Sequence, residues 1–164
     1  MSNGRVAICP GTYDPVTYGH LDIIARAANV FDRVLVGVVN QPTRKQQTVF
    51  SAEERMAFVQ EAVAVQANVE VEIFSILLVE FARQRGATAI VKGLRAISDF
   101  EYEFEMNQLN RKLAPEIESV YIIASPDYSF LSSTGVKEMA TFGADVSDLV
   151  PPGVSQALVE RLRR

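Results

Sequence analysis

Short apolar runs alternate with amphipathic stretches along the whole chain. RVAICP (residues 5–10) is a continuous apolar run, and in HLDIIARAANVF (20–31) Leu21, Ile24, Ala25 and Ala28 recur at helical spacing. RVLVGVVN (33–40) is rich in β-branched residues and predicts a strand. SAEERMAFVQEAVAV opens with Ser51 and Glu54 at capping-box spacing, which predicts a helix start. NVEVEIF then reads as a strand, LLVEFARQRG as a helix ending on Gly86, and ATAIVKG as a strand. DFEYEFEMNQLNRKL predicts a helix that stops before Pro115, and SVYIIAS a fifth strand. SSTGVKEMATFG predicts a helix capped by Ser133 or Thr134, and VSQALVERLRR closes the chain as a helical stretch.

Five short strands separated by helices imply βαβ units. Right-handed crossovers turn these into a parallel sheet covered on both faces, a Rossmann-like doubly wound α/β architecture. The expectation is one domain spanning residues 1–164. Such sheets bind ligands beyond the carboxyl ends of their strands, where the strand order reverses. The loops to inspect are therefore GTYDPVTYGH, NQPTRKQQ, GLRAISD and SPDYSFLSSTG.

Composition narrows the classes. A hydrophobic content of 48% with 22% charged residues is that of an ordinary globular chain and argues against disorder. A net charge of -4 disfavours a general nucleic-acid surface. No apolar run approaches the roughly 18 residues that would span a bilayer, so no membrane role is expected. The start, MSNGRVAI, is too short and polar for a signal peptide. Cys9 is the one cysteine, which excludes an intrachain disulfide and points to a reducing, cytoplasmic setting. Its place inside an apolar run makes it a small buried hydrophobe rather than a nucleophile.

The first loop carries His20, the chain's one histidine. It has neither the dinucleotide fingerprint nor a P-loop. Gly19 before a helix start would let a phosphate approach the backbone, where helix amides point outward. His20 reads equally well, from position alone, as a helix cap or as a donor to a phosphoryl oxygen. The third loop brings Lys92 and Arg95 to the end of a strand, around Gly93. Two such cations suit a polyphosphate, and they also suit ion pairs with Asp99, Glu101 or Glu103. Tyr102 and Glu103 face the same region. In the fourth loop Ser132, Ser133 and Thr134 crowd a helix start, a good phosphate cradle, while Tyr128 and Phe130 suit core packing or adenine contact.

Thr17-Tyr18-Gly19-His20 matches the [HT]-x-G-H signature of the nucleotidylyltransferase superfamily, between a strand and a helix as that signature requires. With SAEER, KGLRAISDFEYE, MN and YSFLSSTGVKE in this order, essentially the whole chain resembles bacterial phosphopantetheine adenylyltransferases. The resemblance implies transfer of AMP from ATP to 4'-phosphopantetheine, giving dephospho-coenzyme A and pyrophosphate. It also implies a magnesium requirement, a homohexamer built as a dimer of trimers, and inhibition by coenzyme A. It places Thr12 and His20 at the reacting α-phosphate, with His20 as transition-state stabiliser. Tyr13, Gly93, Leu94, Arg95, Glu103 and the run Tyr128, Ser129, Phe130, Leu131, Ser132, Ser133 and Thr134 fall on ATP positions. Thr12, Leu78 and Lys92 fall on phosphopantetheine positions.

Two departures stand out. The second loop reads Pro42-Thr43-Arg44-Lys45, with about two extra residues before Phe50, where the family has Pro-x-Lys. The substrate-phosphate cation is then Arg44 or Lys45, and the register from Pro42 favours Arg44. Thr134 stands where serine is commoner. A phosphate-monoester nucleophile is already anionic and needs no general base, so catalysis reduces to positioning and electrostatics. That accounts for the lack of an acid/base dyad. No protein ligand to magnesium is assigned; ATP and water would hold it. The alternatives are a nucleotidylyltransferase with another phosphate acceptor, or a non-catalytic sensor of ATP or coenzyme A. The class I synthetase core shares a similar motif but would need a tRNA-binding domain.

Overall fold

The computed structural model describes residues 4–43 and 47–162. Strands β1 (Val6–Gly11), β2 (Arg33–Val39), β3 (Val69–Phe74), β4 (Ala89–Leu94) and β5 (Glu118–Ile123) form one parallel sheet in the order β3-β2-β1-β4-β5. Helices α1 (Tyr18–Val30), α2 (Ala52–Val63), α3 (Leu78–Gln84) and α4 (Ile97–Leu113) connect the strands. Helices α5 (Ser133–Thr141) and α6 (Pro152–Leu162) follow β5. The expected five-stranded Rossmann-like sheet is thus present.

The continuous apolar runs are explained by burial on both faces. Side chains alternate along a strand with period two. Val34, Val36 and Val38 enter one core with Ala7, Cys9, Ala89 and Val91. Leu35, Ile8 and Ile90, the intervening residues, enter the other. Helices α1, α2, α5 and α6 cover the first face through Ile24, Val59, Val136 and Leu158. Helix α3 covers the second through Val79, Phe81 and Ala82, joined by Ala114 and Ile117 beyond α4. Full burial of one such aliphatic side chain stabilises by about 1.5–3 kcal/mol.

The boundaries explain several local differences. Helix α1 starts at Tyr18, two residues earlier than its apolar periodicity suggests, because Thr17 caps it and its side chain accepts from the His20 amide. In α1 the buried positions are Ile24 and Ala27, with Leu21 and Ala28 beside them, whereas Ala25 does not join the core. Ser51 and Glu54 do form the expected capping box. Helix α5 is capped by Ser132, not by Ser133 or Thr134: the Ser132 side chain accepts from the Gly135 amide. Gly86 sits just past α3 with φ of 66°, the left-handed conformation that glycine adopts without strain.

The strand order places the reversal between β1 and β4. β1 and β2 stay in register as far as Gly11 and Val38, but β1 and β4 pair at Ala7–Ala89 and Ile8–Ile90. Beyond Ile8 those two central strands part, and a crevice opens at their carboxyl ends.

Candidate active site

A cleft of about 1050 Å³ occupies that crevice. It lies at the top of the usual range for ligand sites, roughly 300–1,000 Å³, and so has room for two substrates. Thr12 and Tyr13 line it from the loop after β1, and His20 from the first turn of α1. Leu78, the first residue of α3, lines another wall. Lys92, Gly93 and Arg95 reach it from the end of β4, and Glu103 from α4. Tyr128, Leu131, Ser132, Ser133 and Thr134 close it from the turn before α5. Three sequence-derived candidates do not line it: Leu94, Ser129 and Phe130, whose ring is 73% exposed. Arg44 and Lys45 lie outside the described residues.

His20 is the third residue of α1 and not its cap, yet it completes a capping box. The Thr17 backbone N–H donates to its Nδ1 at 3.0 Å. A nitrogen that accepts this bond carries no proton, so the neutral imidazole bears its proton on Nε2. The Tyr13 ring meets the imidazole edge-on at 5.0 Å, which fixes its tilt. The capping and the donor readings of His20 are therefore compatible: one nitrogen orients the ring and the other carries the donor proton.

Tyr13 is held tightly. Its hydroxyl donates to the Cys9 carbonyl at 2.9 Å, and its backbone φ is 52°. Positive φ is strained for a side chain of this size, and burial of the ring sustains it. Burial raises the Tyr13 phenol well above its ordinary value, with the Cys9 charge adding to it. Burial likewise pushes the Cys9 thiol up to about 12. Cys9 is a buried hydrophobe at neutral pH, in keeping with its place in an apolar run.

The cleft's cations are paired. Lys92 Nζ lies 2.9 Å from Glu103 Oε2, and Arg95 Nε lies 3.1 Å from Asp99 Oδ2. Arg95 also donates to the Leu131 carbonyl at 2.8 Å, tying the end of β4 to the turn before α5. Tyr121 on β5 donates to the Glu103 carbonyl at 3.1 Å and so steadies that turn of α4. Gly93 has a packing reason of its own: a Cβ there would sit 2.9 Å from Ile23 Cγ1 on α1. A Cβ at Gly19 would meet nothing nearer than Thr17 Oγ1 at 3.4 Å, so packing alone does not demand that glycine. Ser133, one of the hydroxyls at the start of α5, is buried and donates to the Pro15 carbonyl at 2.8 Å.

Two residues that sequence reasoning passed over hold the first two loops. Asp14, only 1% exposed, accepts from the Val49 and Phe50 amides at 3.0 Å each and from Lys137 Nζ at 3.0 Å. Arg55 on α2, also 1% exposed, donates to the carbonyls of Thr12 and Val39 at 2.7 Å, Asn40 at 2.9 Å and Phe50 at 3.2 Å. Apart from Asn40 and Phe50 for Arg55, their partners are 16 to 123 residues away along the chain, so local spacing does not reveal these bonds. Arg161 on α6 adds to the same knot by donating to the Val49 carbonyl and Glu54.

Among the described residues no group of three or more His, Cys, Asp or Glu is placed to hold a metal ion. The carboxylates of Asp99 and Glu103 line the cleft but face Arg95 and Lys92. That donor set does not fit a resident metal site. No helix among the described residues is long and apolar enough to cross a membrane.

Residues 8–139 match the model of a family described as cytidylyltransferase-like. The chain is 51% identical over 156 residues to the phosphopantetheine adenylyltransferase of Heliobacterium modesticaldum, covering 95% of this chain and 92% of that one. It is 48% identical over 160 residues to the phosphopantetheine adenylyltransferase of Caldanaerobacter subterraneus subsp. tengcongensis, covering 98% and 99%. The enzyme of the same name from Anaeromyxobacter dehalogenans is also 48% identical over 160 residues, covering 98% and 96%.

Proposed function

Because the chain belongs to the phosphopantetheine adenylyltransferase family, we propose that it transfers AMP from ATP to 4'-phosphopantetheine, a step of coenzyme A biosynthesis. The products are dephospho-coenzyme A and pyrophosphate. The observation that carries the mechanism is the fixed tautomer of His20, whose Nδ1 accepts from Thr17 and whose proton therefore sits on Nε2. The Nε2–H keeps its proton and donates a hydrogen bond to an α-phosphate oxygen as negative charge builds there, and a donor fixed before reaction loses nothing to reorganisation. The phosphate of 4'-phosphopantetheine attacks in line, and the bond between the α-phosphorus and the leaving pyrophosphate breaks. No residue has to remove a proton from the nucleophile, because a phosphate monoester is already anionic.

Thr12 stands between the two substrates. Leu78 and Lys92 hold phosphopantetheine, with Arg44 rather than Lys45 as the second cation on its phosphate. Tyr13, Arg95, Glu103 and the turn from Tyr128 to Thr134 hold ATP, and the α1 N-terminus favours anionic oxygens by its dipole. The carboxylates now facing Lys92 and Arg95 are the groups with which phosphate oxygens compete. Magnesium would come as part of the ATP substrate rather than at a protein site, and would offset charge between the two polyanions. The setting is cytoplasmic, in keeping with a single, free and buried Cys9.

Assembly into a homohexamer is part of this reading. Helix α4 supports it, because Phe100, Phe104, Leu109 and Leu113 are about half exposed along it and await a cover. Coenzyme A, which shares the pantetheine arm, is the expected inhibitor. The decisive test is pyrophosphate release from ATP with and without 4'-phosphopantetheine. Release should require the acceptor and should vanish with dephosphorylated pantetheine. Equal release with pantetheine would end the proposal.

A further inference from the structure

The cation buried under the cleft is not used in the mechanism above. Arg55 is the fourth residue of α2, whose start is set by the Ser51–Glu54 capping box. Its guanidinium has five N–H bonds in a rigid plane. In this structure its hydrogen-bond acceptors are backbone carbonyls, those of Thr12, Val39, Asn40 and Phe50. Thr12 belongs to the loop after β1, and Val39 and Asn40 mark the exit of β2 into the second loop. One planar group thus sets the spacing between the two loops that flank the acceptor side of the cleft.

This arrangement is costly as mere packing. Burial disfavours the charged guanidinium and draws its proton affinity down, while the charges of Asp14 and Glu53 oppose that. The four carbonyls it serves come from three separate segments, and only a planar group with several donors meets them all at once. A flexible ammonium carries its donors on one atom and cannot bridge carbonyls separated across two loops in a fixed plane. The fixed spacing of those donors points to a geometric task beyond packing.

We propose that Arg55 is a positioning residue for the transfer reaction: it holds the backbone of Thr12 and of residues 39–40 at the separation that seats the acceptor phosphate against the α-phosphate. It touches neither substrate. The inference rests on the proposed reaction, and the test separates the two. Displacements of about 1 Å far from the chemistry can cost on the order of 10²-fold in rate.

The experiment measures Arg55→Lys and Arg55→Gln with both substrates varied, per folded molecule as counted by near-ultraviolet circular dichroism. The expected result is a kcat lowered about 10- to 100-fold and a raised KM for phosphopantetheine, with the Kd for ATP changed less than about threefold. Added guanidinium ion, at concentrations well below denaturing, should partly restore kcat in Arg55→Ala and leave Arg55→Gln unmoved. Activity losses in both Arg55→Lys and Arg55→Gln that merely follow the folded fraction would overturn the inference. So would normal kinetics in Arg55→Lys. Lack of turnover by the unaltered chain with phosphopantetheine would instead overturn the proposed reaction.

Discussion

The two sides of the cleft are built on different principles. On the β1–β2 side, Asp14 and Arg55 are almost wholly buried and bind mostly backbone amides and carbonyls. On the β4–β5 side, Lys92 and Arg95 are joined to Glu103 and Asp99, with side chains from 15% to 40% exposed. A phosphate cannot displace a backbone carbonyl from Arg55 without unpacking the core. It can compete with a carboxylate side chain for Lys92 or Arg95, which line the cleft. One side is preset by bonds to the backbone in the core, and the other holds its cations in exchangeable side-chain pairs at the cleft wall.

The comparison breaks most visibly at Asp14. Asp14→Ala strands two amides and the Lys137 ammonium, and removing one member of a buried pair costs about 3–5 kcal/mol. For a chain of this size that lowers Tm by about 10 °C, measurable by calorimetry. A fall of less than about 3 °C would mean that the preset side is not held by this knot.

His20 tests the same side by rate. His20→Ala should lower kcat by about 10²–10³-fold with little change in ATP binding, since the bond forms mainly in the transition state. A near-normal kcat would leave His20 only its role in capping α1.

Alkali probes the preset side by titration. The Cys9 thiol is raised to about 12 in the folded chain against an ordinary 9.0. Between those values the unfolded chain releases a proton that the folded chain keeps. Stability is therefore intact below pH 9 and falls as pH climbs toward 12, by up to about 1.4 kcal/mol per pH unit for one group. Tyr13, also raised, adds to the loss above its ordinary 10.0. Urea midpoints from pH 8 to 10 should show a shallower slope in Cys9→Ala; an unchanged slope would assign the alkaline loss elsewhere.

The smallest effect belongs to the exchangeable side. Asp99→Asn weakens the more solvated of the two cleft pairs, with side chains 40% and 27% exposed, which is worth at most about 1 kcal/mol, and should move Tm by less than about 4 °C. A drop as large as that of Asp14→Ala would erase the distinction between the two sides.

The strands and most helices were legible because alternation and apolar spacing are local properties of the chain. RVLVGVVN, buried on both faces, could only be a central strand. The Thr17-Tyr18-Gly19-His20 run was legible as a motif, while its double use of the imidazole needed coordinates. The cap of α5 is Ser132, one or two residues before the expected Ser133 or Thr134, because three hydroxyls in a row are equally good caps by residue type. Phe130 and Ser129 follow the family pattern yet lie away from the cleft wall. The sequence singles out neither the role of Asp14 nor that of Arg55, which enters only as the last residue of SAEER. Their acceptors and donors come from distant segments, and no periodicity encodes that.

The two buried clamps also set how freely this chain can vary between relatives. Arg55 grips the Asn40 carbonyl, and Asp14 grips the Val49 and Phe50 amides. The span between these points is the stretch in which the chain carries about two residues more than the family pattern. Both grips address backbone atoms, which every residue type supplies, so neither constrains the side chains in between. The entropy of closing a loop grows only with the logarithm of its length. The segment between Asn40 and Val49 can therefore differ in length and composition while the backbone at its two ends stays in place.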